Sequence, residues 1–260
     1  MRKHKARKRF GQNFLVDRAA LLRIATMVRD ADRVLEIGPG LGSLTRALRE
    51  VGIDTLRAVE VDRDLCEHIR MTLPSVDLIE GDAMKLSLDE LAPGEGWVCC
   101  ANLPYNVGTA ILLRLLPEQP RFSRLVLMFQ KEVAQRITAE PGSRSYGSLS
   151  VMCQAWSTPR LVLQLPPTAF QPQPKVESAV VELRLRKTPE LGGVSPQHFE
   201  RVVRAGFSMR RKRLENALTS AFPKEQGRAA TAQAEVTGLR AEALSLEQWG
   251  RLAAALQVPA

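Results

Sequence analysis

The stretch R-V-L-E-I-G-P-G-L-G, Arg33 to Gly42, decides how this chain folds. Its first half is mostly apolar and ends in glycine, as a buried strand does, and a helical pattern follows from Leu44 to Glu50. The glycines between them allow the backbone to approach a ligand closely, and the first turn of a helix offers unpaired N–H groups. The stretch therefore predicts a strand, a ligand-binding loop and a helix in direct succession.

The same succession of strand and helix repeats along the chain. Near-continuous apolar strands that alternate with helices are typical of a parallel sheet covered on both faces, so we predict an α/β fold. A later segment, Glu177 to Arg186, alternates apolar and charged residues, as an antiparallel or edge strand does. Further strands are expected at residues 33–38, 54–61, 76–81, 97–102, 124–130 and 161–165, and helices at 44–50, 62–72, 109–116 and 131–138.

The end of the chain lacks strand patterns. Residues 188–195 read as a linker, and the remainder is helical in pattern. We therefore expect an α/β domain over residues 1–187 and a small helical domain over residues 188–260. Residues 1–16 form a basic segment at the start of the first domain, with six Lys or Arg and no Asp or Glu.

The charge of the chain points to a partner rich in phosphate. Lys and Arg number 37 and Asp and Glu number 28, so the formal net charge is +9. Cationic side chains displace the counterions condensed on nucleic acid, whereas an enzyme of small neutral metabolites needs no such excess. A generally basic proteome is the alternative explanation.

The four cysteines and three histidines form no metal-binding pattern. No pair of cysteines has C-x-x-C spacing, and Cys99 and Cys100 lie inside an apolar run, so we expect reduced, buried thiols and no bound metal. The N-terminus lacks the apolar stretch of a secretory signal, and no apolar run approaches the ~20 residues of a membrane span. We expect a cytoplasmic protein without a membrane partner.

The glycine loop has the spacing G-x-G-x-G at Gly38, Gly40 and Gly42. An acidic residue, Glu36, comes just before the loop. Dinucleotide sites have G-x-G-x-x-G, so this spacing disfavours a nicotinamide dehydrogenase. Carboxylate and carbonyl oxygens near such a loop suit S-adenosylmethionine, whose amino-acid portion is cationic. We predict S-adenosylmethionine as the cofactor, with Gly38 and Gly40 among its contacts. A tight glycine-rich turn without a ligand is the alternative.

Two acidic residues end the next two strands. Glu60 follows the glycine loop in A-V-E-V-D, where a carboxylate is placed to accept both ribose hydroxyls of a nucleoside. Asp82 ends the third strand in I-E-G-D-A-M, where we expect it to accept a hydrogen bond from the exocyclic amine of the cofactor's adenine. The alternative for Asp82 is a cap of a helix that begins at Ala83.

The stretch N-L-P-Y, Asn102 to Tyr105, has the groups that methylation of a nucleobase amine requires. The lone pair of such an amine is delocalised into the ring, so a site must bind both N–H bonds for the lone pair to turn toward a methyl donor. The Asn102 side-chain oxygen and the Leu103 carbonyl are the predicted acceptors, and Pro104 keeps that carbonyl outside a helix. Tyr105 offers a flat face on which a base can stack. The alternative is a proline turn that caps a core strand.

The stretch F-Q-P-Q-P-K-V, Phe170 to Val176, contains alternating prolines that favour an extended loop. Phe170 is predicted to cover the second face of the target base. Lys175, at the other end of the loop, is a predicted contact to nucleic acid. A stiff linker is the alternative.

Together these motifs resemble the KsgA/RsmA family of small-subunit ribosomal RNA adenine N6,N6-dimethyltransferases. The likeness runs from about Arg7 to Leu218, although Glu177 stands where Asp is more usual and the tail after Ala221 follows no known motif. The stretches that match in order and spacing are G-Q-N-F-L (Gly11 to Leu15), E-I-G-P-G-L-G, V-E-V-D, G-D-A-M, N-L-P-Y-N and F-Q-P-Q-P-K-V-E-S-A-V-V.

The resemblance implies a Rossmann-like class I S-adenosylmethionine-dependent methyltransferase fold, with a mostly parallel seven-stranded sheet and a small C-terminal helical domain. It implies dimethylation of two adjacent adenines near the 3′ end of 16S rRNA within a pre-30S particle, and we expect a monomer. Asn13, Leu15 and Asn102 join the cofactor contacts through the resemblance alone, which also implies that the segment before the first strand folds over the cofactor. Tyr105 and Phe170 match the family's base-stacking positions.

Basic side chains in both domains are the predicted RNA contacts. The stretch R-A-G-F-S-M-R-R-K-R-L-E-N-A-L, Arg204 to Leu218, resembles the helical domain of the family. A solvated helix face is the alternative for its basic cluster. The predicted contacts are Arg7, Lys8, Arg9, Lys175, Arg210, Arg211, Lys212 and Arg213.

Two other functions remain open. The Erm-type 23S rRNA methyltransferases are similar through the catalytic half, although they more often have N-I-P-Y and a Lys after the second glycine, where this chain has N-L-P-Y and Leu41. The second alternative is a ribosome-assembly factor that acts mainly by binding. Intact Glu60, Asp82, Asn102 and Tyr105 argue against a loss of catalysis.

Overall fold

The computed structural model describes residues 13–209 and 211–257. These residues form two compact units. The first contains residues 13–134 and Pro159–Lys187, and the second contains Gln135–Thr158 and residues 188–257. The chain therefore leaves the first unit and returns to it, whereas the sequence predicts two domains that are each continuous.

The strands are short and follow the apolar runs of the sequence. The predicted boundaries agree with the observed ones to within about two residues for the first five strands of the large sheet. In chain order the strands are β1 (Phe14–Leu15), β2 (Arg33–Ile37), β3 (Thr55–Glu60), β4 (Asp77–Glu80), β5 (Trp97–Asn102), β6 (Phe122–Gln130), β7 (Ser157–Leu165), β8 (Phe170–Gln171) and β9 (Ser178–Leu185).

Seven of these strands form one sheet in the order β4-β3-β2-β5-β6-β9-β7. The strands from β4 to β6 in that order are parallel to their neighbours, and β9 is antiparallel to β6. The predicted mostly parallel, seven-stranded sheet is confirmed, as is the antiparallel strand that ends the first unit. β1 and β8 form a separate antiparallel pair, in which Leu15 lies opposite Phe170.

The apolar strand sequences are explained by burial on both faces of the sheet. Val34, Val98 and Val126 belong to a hydrophobic core on one face, together with residues of the first two helices. Their neighbours Leu35 and Cys99 are also fully buried, although alternate residues of a strand point to opposite faces. A strand covered on both sides needs apolar residues throughout, which is why these runs do not alternate.

The helices of the first unit begin at clear sequence signals. Asp62, the predicted N-cap, accepts a hydrogen bond from the Asp64 N–H, and Asp17 caps the first helix by accepting from the Ala20 N–H at 3.0 Å. The first helix was not predicted. The helices are α1 (Arg18–Thr26), α2 (Ser43–Glu50), α3 (Arg63–Thr72), α4 (Leu88–Leu91), α5 (Gly108–Leu115) and α6 (Lys131–Ile137), of which α6 ends in the second unit.

The second unit is helical around aromatic side chains. The Trp249 ring is buried and stacks on Phe207 with the ring centroids 5.4 Å apart, and Tyr146 meets Phe207 edge-on at 6.1 Å. The Tyr146 hydroxyl donates to the Leu244 carbonyl at 2.9 Å. The helices are α7 (Ser148–Trp156), α8 (Pro196–Phe207), α9 (Leu214–Ala217), α10 (Lys224–Gln233) and α11 (Leu246–Ala255).

Residues 135–158 belong to this unit because α7 packs against α8 and α11. The spacing of the apolar residues in α7 does not indicate which of the two hydrophobic cores this helix joins.

All four cysteines are buried free thiols, as predicted. Among residues 13–209 and 211–257, no helix is long and apolar enough to cross a membrane.

Candidate active site

The carboxyl ends of four neighbouring strands meet at one cavity. In the order β4-β3-β2-β5, the strands β3 and β4 lie on one side of β2, and β5 lies on the other side. This reversal of strand order leaves a crevice between the loops after β2 and β5. The predicted site residues that line it are Asn13, Gly38, Gly40, Glu60, Asp82, Asn102, Leu103, Pro104 and Tyr105. The others are Phe14, Ile37, Val59, Val61, Leu65, Gly81, Ala83, Asn106, Val107 and Ile111.

The glycine loop after β2 lets the N-terminal segment close upon it. Gly40 has φ of +59°, in the left-handed region that favours glycine. A Cβ at Gly40 would lie 2.8 Å from the Phe14 ring, which is closer than side chains tolerate. The loop also continues the pairing of two strands, because the Gly38 N–H donates to the Val59 carbonyl at 2.8 Å.

The Glu60 carboxylate, at the end of β3, fixes the glycine loop. Its Oε2 accepts the Gly40 N–H at 3.1 Å, and its Oε1 accepts the N–H groups of Val61 and Asp62, each at 2.9 Å. Burial raises the pKa of Glu60, and these three donors oppose that shift because they favour the charged form. A carboxylate has about four acceptor positions, so Glu60 shapes the loop as well as lining the cavity.

Asp82 both caps a turn and lines the cavity. Its Oδ1 accepts the Met84 N–H at 2.9 Å, which is the capping role considered as the alternative to a ligand contact. Arg114, on α5, donates to the carbonyls of Ala83 and Leu86. The turn that carries Asp82 is thereby joined to the helix that follows N-L-P-Y. No feature of the sequence near Arg114 indicates this role.

The Asn102 side chain joins the end of β5 to the N-terminal segment. Its Nδ2 donates to the Asn13 carbonyl at 3.1 Å. This bond determines the orientation of the amide, because only the nitrogen end can donate. The amide oxygen is therefore the end available to accept a hydrogen bond from a ligand.

Leu103 lies between a strand and a helix. β5 ends at Asn102, and the Pro104 carbonyl accepts the N–H groups of Val107 and Gly108 at 3.2 and 2.9 Å. The helical hydrogen bonds that lead into α5 thus begin one residue after Leu103. Leu103 is 2% exposed and is one of the residues that line the cavity.

Tyr105 is held by its hydroxyl group. That oxygen lies 2.6 Å from the Ser178 Oγ, and Ser178 is a fully buried residue at the start of β9. Burial raises the pKa of the Tyr105 phenol, so the phenol is neutral at physiological pH. The half-buried ring lines the cavity.

Among the residues predicted to bind the cofactor or to act in catalysis, Phe170 and Leu15 are the two that the structure does not bring to the cavity. Both are buried, with exposed fractions of 2% and 3%, and they pair across β1 and β8 within the hydrophobic core. The backbone on either side is tied down as well, since the Val16 N–H donates to the Ala169 carbonyl at 2.9 Å. The structure thus shows both side chains packed in the hydrophobic core, and their contacts with the cofactor and the base stay predictions.

Glu36 also differs from the expectation for the glycine loop. It is 1% exposed, does not line the cavity, and its Oε2 has no hydrogen-bond partner among the described residues. Burial, reinforced by the charge of Glu60, raises the pKa of Glu36 to about 8. Burial thus favours the protonated form of Glu36, and its side chain does not reach the cavity in which the cofactor is predicted to bind.

The predicted RNA contacts are exposed where the structure describes them. Lys175 in the first unit and the trio Arg211, Lys212 and Arg213 in the second are all exposed. Arg7, Lys8, Arg9 and Arg210 lie outside the described residues. Among the described residues, no group of three or more His, Cys, Asp or Glu side chains could bind a metal ion.

A model of the family described as ribosomal RNA adenine dimethylase matches residues 3–257. The ribosomal RNA small subunit methyltransferase A of Syntrophotalea carbinolica is 45% identical over 260 residues, which cover 98% of each chain. The protein of the same name from Thermosynechococcus vestitus is 46% identical over 264 residues, which cover 97% of each chain.

Two solved structures share the architecture. A dimethyladenosine transferase from Plasmodium falciparum superposes with a TM-score of 0.77 at 23% identity, covering 92% of this chain and 96% of that one, and supports the fold. The 23S rRNA methyltransferase ErmE superposes with a TM-score of 0.71 at 29% identity, covering 94% of this chain and 99% of that one. The predicted class I methyltransferase fold is confirmed.

Glu60→Gln should weaken cofactor binding. The amide has one oxygen in place of two and turns an N–H toward N–H donors of the backbone, so the glycine loop loses an anchor. We expect the dissociation constant for S-adenosylmethionine, measured by calorimetry, to rise by about tenfold or more. Glu67→Gln, an exposed position on α3, is the matched control. Equal affinities of Glu60→Gln and the wild type for S-adenosylmethionine would contradict a role of Glu60 in cofactor binding.

Glu36 should make stability fall as pH rises. The unfolded chain releases the Glu36 proton above its ordinary pKa of 4.5, whereas the folded chain keeps it up to about 8. The contribution of this proton is complete below the lower value and is lost progressively up to the higher one. We expect the unfolding free energy, measured with urea across that range, to fall less steeply in Glu36→Gln. If the unfolding free energy falls with pH equally steeply in the wild type and in Glu36→Gln, the raised pKa of Glu36 is refuted.

Proposed function

The chain belongs to the ribosomal RNA adenine dimethylase family, and from this premise we propose how its cavity performs the reaction. It is an S-adenosylmethionine-dependent methyltransferase that dimethylates adenine in 16S ribosomal RNA. As finer proposals, the targets are two adjacent adenines near the 3′ end, the substrate is a pre-30S particle in the cytoplasm, and the enzyme acts as a monomer.

The residues at the cavity suit the cofactor. Gly38 and Gly40 provide backbone that a ligand can approach, and the carboxylates of Glu60 and Asp82 provide acceptors for ribose hydroxyls and an adenine amine. Apolar side chains such as Val61 complete the lining. When bound, S-adenosylmethionine supplies a methyl group activated by its sulfonium charge.

The orientation of the Asn102 amide carries the proposal. Because the Asn13 carbonyl accepts from Nδ2, Oδ1 is the acceptor presented to a substrate amine. The Leu103 carbonyl, between strand and helix, is the proposed second acceptor. With both N–H bonds of the adenine amine engaged, its lone pair can leave conjugation with the ring and point toward the methyl donor. After the first methylation one N–H remains, and a single acceptor suffices.

No catalytic base is needed if the proton leaves after the methyl group arrives. The methylated amine is cationic and far more acidic than the starting amine, so oxygen acceptors and solvent can take its proton. Tyr105, whose phenol is neutral, contributes its ring face to the base. For Phe170 the proposed stacking role requires that its side chain leave the core between β1 and β8, so this role depends on a movement of the loop.

The small-subunit substrate is favoured over the 23S substrate of Erm-type enzymes. Relatives about 45% identical over nearly the whole chain are named for the small subunit, whereas ErmE is 29% identical. A purely binding role is disfavoured, because Glu60, Asp82, Asn102 and Tyr105 all line one cavity.

Methyl transfer to purified ribosomal subunits tests the function directly. With tritiated S-adenosylmethionine, we expect undermethylated 30S particles to be labelled and 50S particles not to be. Mapping of the modified bases should then yield N6,N6-dimethyladenine at two neighbouring positions near the 3′ end. Labelling of 50S particles instead would favour the Erm-type alternative.

Asn102→Ala should separate catalysis from cofactor binding. The substitution removes the proposed amine acceptor, and we expect the single-turnover rate of methyl transfer to fall at least a thousandfold, as for other oriented hydrogen-bond groups (roughly 10²–10³) combined with lost positioning. The cofactor contacts of Glu60 and Asp82 remain, so calorimetry should detect binding of S-adenosylmethionine. A wild-type rate in this variant would eliminate the mechanism.

The cluster Arg211, Lys212 and Arg213 should contribute to RNA affinity. Neutralising all three to Gln removes phosphate contacts, so binding to the 30S precursor should weaken and its dependence on salt should become shallower. Neutralising Lys224, Arg228 and Arg240, which are exposed in the same unit, changes the net charge equally and is the control. Equal losses in the two variants would indicate only a general effect of charge.

A further inference from the structure

We propose that Ser178 is a positioning residue that sets the orientation of the Tyr105 ring for stacking on the target base. The inference rests on the proposed function, in which Tyr105 carries one face of the base. It adds a residue that binds neither base nor cofactor and acts through the tyrosine hydroxyl.

The geometry of the pair supports this role. The Tyr105 and Ser178 oxygens lie 2.6 Å apart, a short distance for two neutral hydroxyl groups, and Ser178 has no exposed surface. A buried hydroxyl of this kind needs a partner, and Tyr105 supplies it. The contact connects two motifs that are separated by 73 residues, N-L-P-Y and the end of F-Q-P-Q-P-K-V-E-S.

Ser178 is a firm anchor because β9 is held at its first residue. Ser178 lies opposite Gln130 in the antiparallel pairing with β6. Just before it, Glu177 is bound twice by Lys131: its carbonyl accepts the Lys131 N–H at 2.9 Å, and its carboxylate lies 2.6 Å from the Lys131 Nζ. A hydroxyl fixed in this way can define where the phenol oxygen lies.

The Tyr105 ring needs such an anchor because its surroundings leave it partly free. It follows Pro104 in the turn that leads into α5, and it is only half-buried at the edge of an open cavity. Base stacking depends on the plane of the ring, and a functional group must be held within roughly 10–20° of its working orientation. Anchoring the phenol oxygen restricts both side-chain torsions while leaving a ring face available.

The same contact explains why position 105 is tyrosine when a phenylalanine ring would stack equally well. The phenol oxygen is engaged by a serine on the wall of the site. Burial raises the pKa of the phenol, and among the described residues no charged group contributes to that shift. Its hydroxyl therefore serves orientation.

A double-mutant cycle tests the proposal. Tyr105→Phe, Ser178→Ala and the double variant are compared in single-turnover methyl transfer to undermethylated 30S particles, with calorimetry for S-adenosylmethionine. We expect each single variant to lower the rate by about tenfold, the double variant to be no slower than either, and cofactor affinity to be unchanged. Ser178→Cys, which keeps the volume but weakens the hydrogen bond, replaces the alanine variant if that protein fails to fold.

Two matched controls are present in the second unit. Tyr146→Phe removes the other tyrosine hydroxyl of the chain, which donates to Leu244, and Ser157→Ala removes a buried serine hydroxyl that donates to Cys153 at 2.6 Å. Both should transfer methyl groups at the wild-type rate.

Four results would overturn the inference. Additive losses in the double variant would mean that the two hydroxyls act separately. A slow Tyr105→Phe beside a normal Ser178 variant would mean that the phenol acts on the RNA itself. A normal rate in Tyr105→Ala would instead remove the stacking role on which the inference rests. Loss of activity in Tyr105→Ala together with normal rates in both hydroxyl variants would leave the proposed function intact and refute only the positioning by Ser178.

Discussion

Parallel strands that end together at one edge of a sheet are the constraint on which this molecule depends. Because β2, β3, β4 and β5 all run the same way, their loops emerge at the same edge, and the reversal of strand order beside β2 opens a crevice there. Motifs that are as far apart in sequence as Gly38 and Asn102 thereby line one cavity. The chemistry of the site is a consequence of where these strands stop.

Polar side chains that line the crevice also form hydrogen bonds to other groups of the protein. Glu60 joins three backbone N–H groups, Asn102 reaches the Asn13 carbonyl, and Tyr105 reaches Ser178. The contacts of Glu60 with Gly40, of Asn102 with Asn13 and of Tyr105 with Ser178 each connect separate segments of the first unit. Such contacts reduce the motion of polar groups that must be correctly oriented before substrate binds, which is how preorganised sites lower the cost of reaction.

Most of the fold was predictable because the strands are buried on both faces. Burial makes β2, β3, β5 and β6 read as apolar runs, and the glycines after β2 mark the turn that must approach a ligand. The helix α7 and its place in the second unit were not predictable in this way. The sequence S-L-S-V-M-C-Q-A-W is apolar enough for any core, and its partners α8 and α11 lie far along the chain.

The sequence alone determined the order of the motifs, the α/β alternation and the types of groups offered to a cofactor and a nucleobase, because these depend on local periodicity and on the chemistry of single residues. Only the tertiary structure decided how those groups are used. Burial raises the pKa of Glu36 and places the Phe170 side chain in the core. A hydrogen bond to the Asn13 carbonyl orients the Asn102 amide, and a hydrogen bond to Ser178 holds the Tyr105 hydroxyl. Burial and hydrogen-bond partners come from segments distant in the chain, and no local pattern records them.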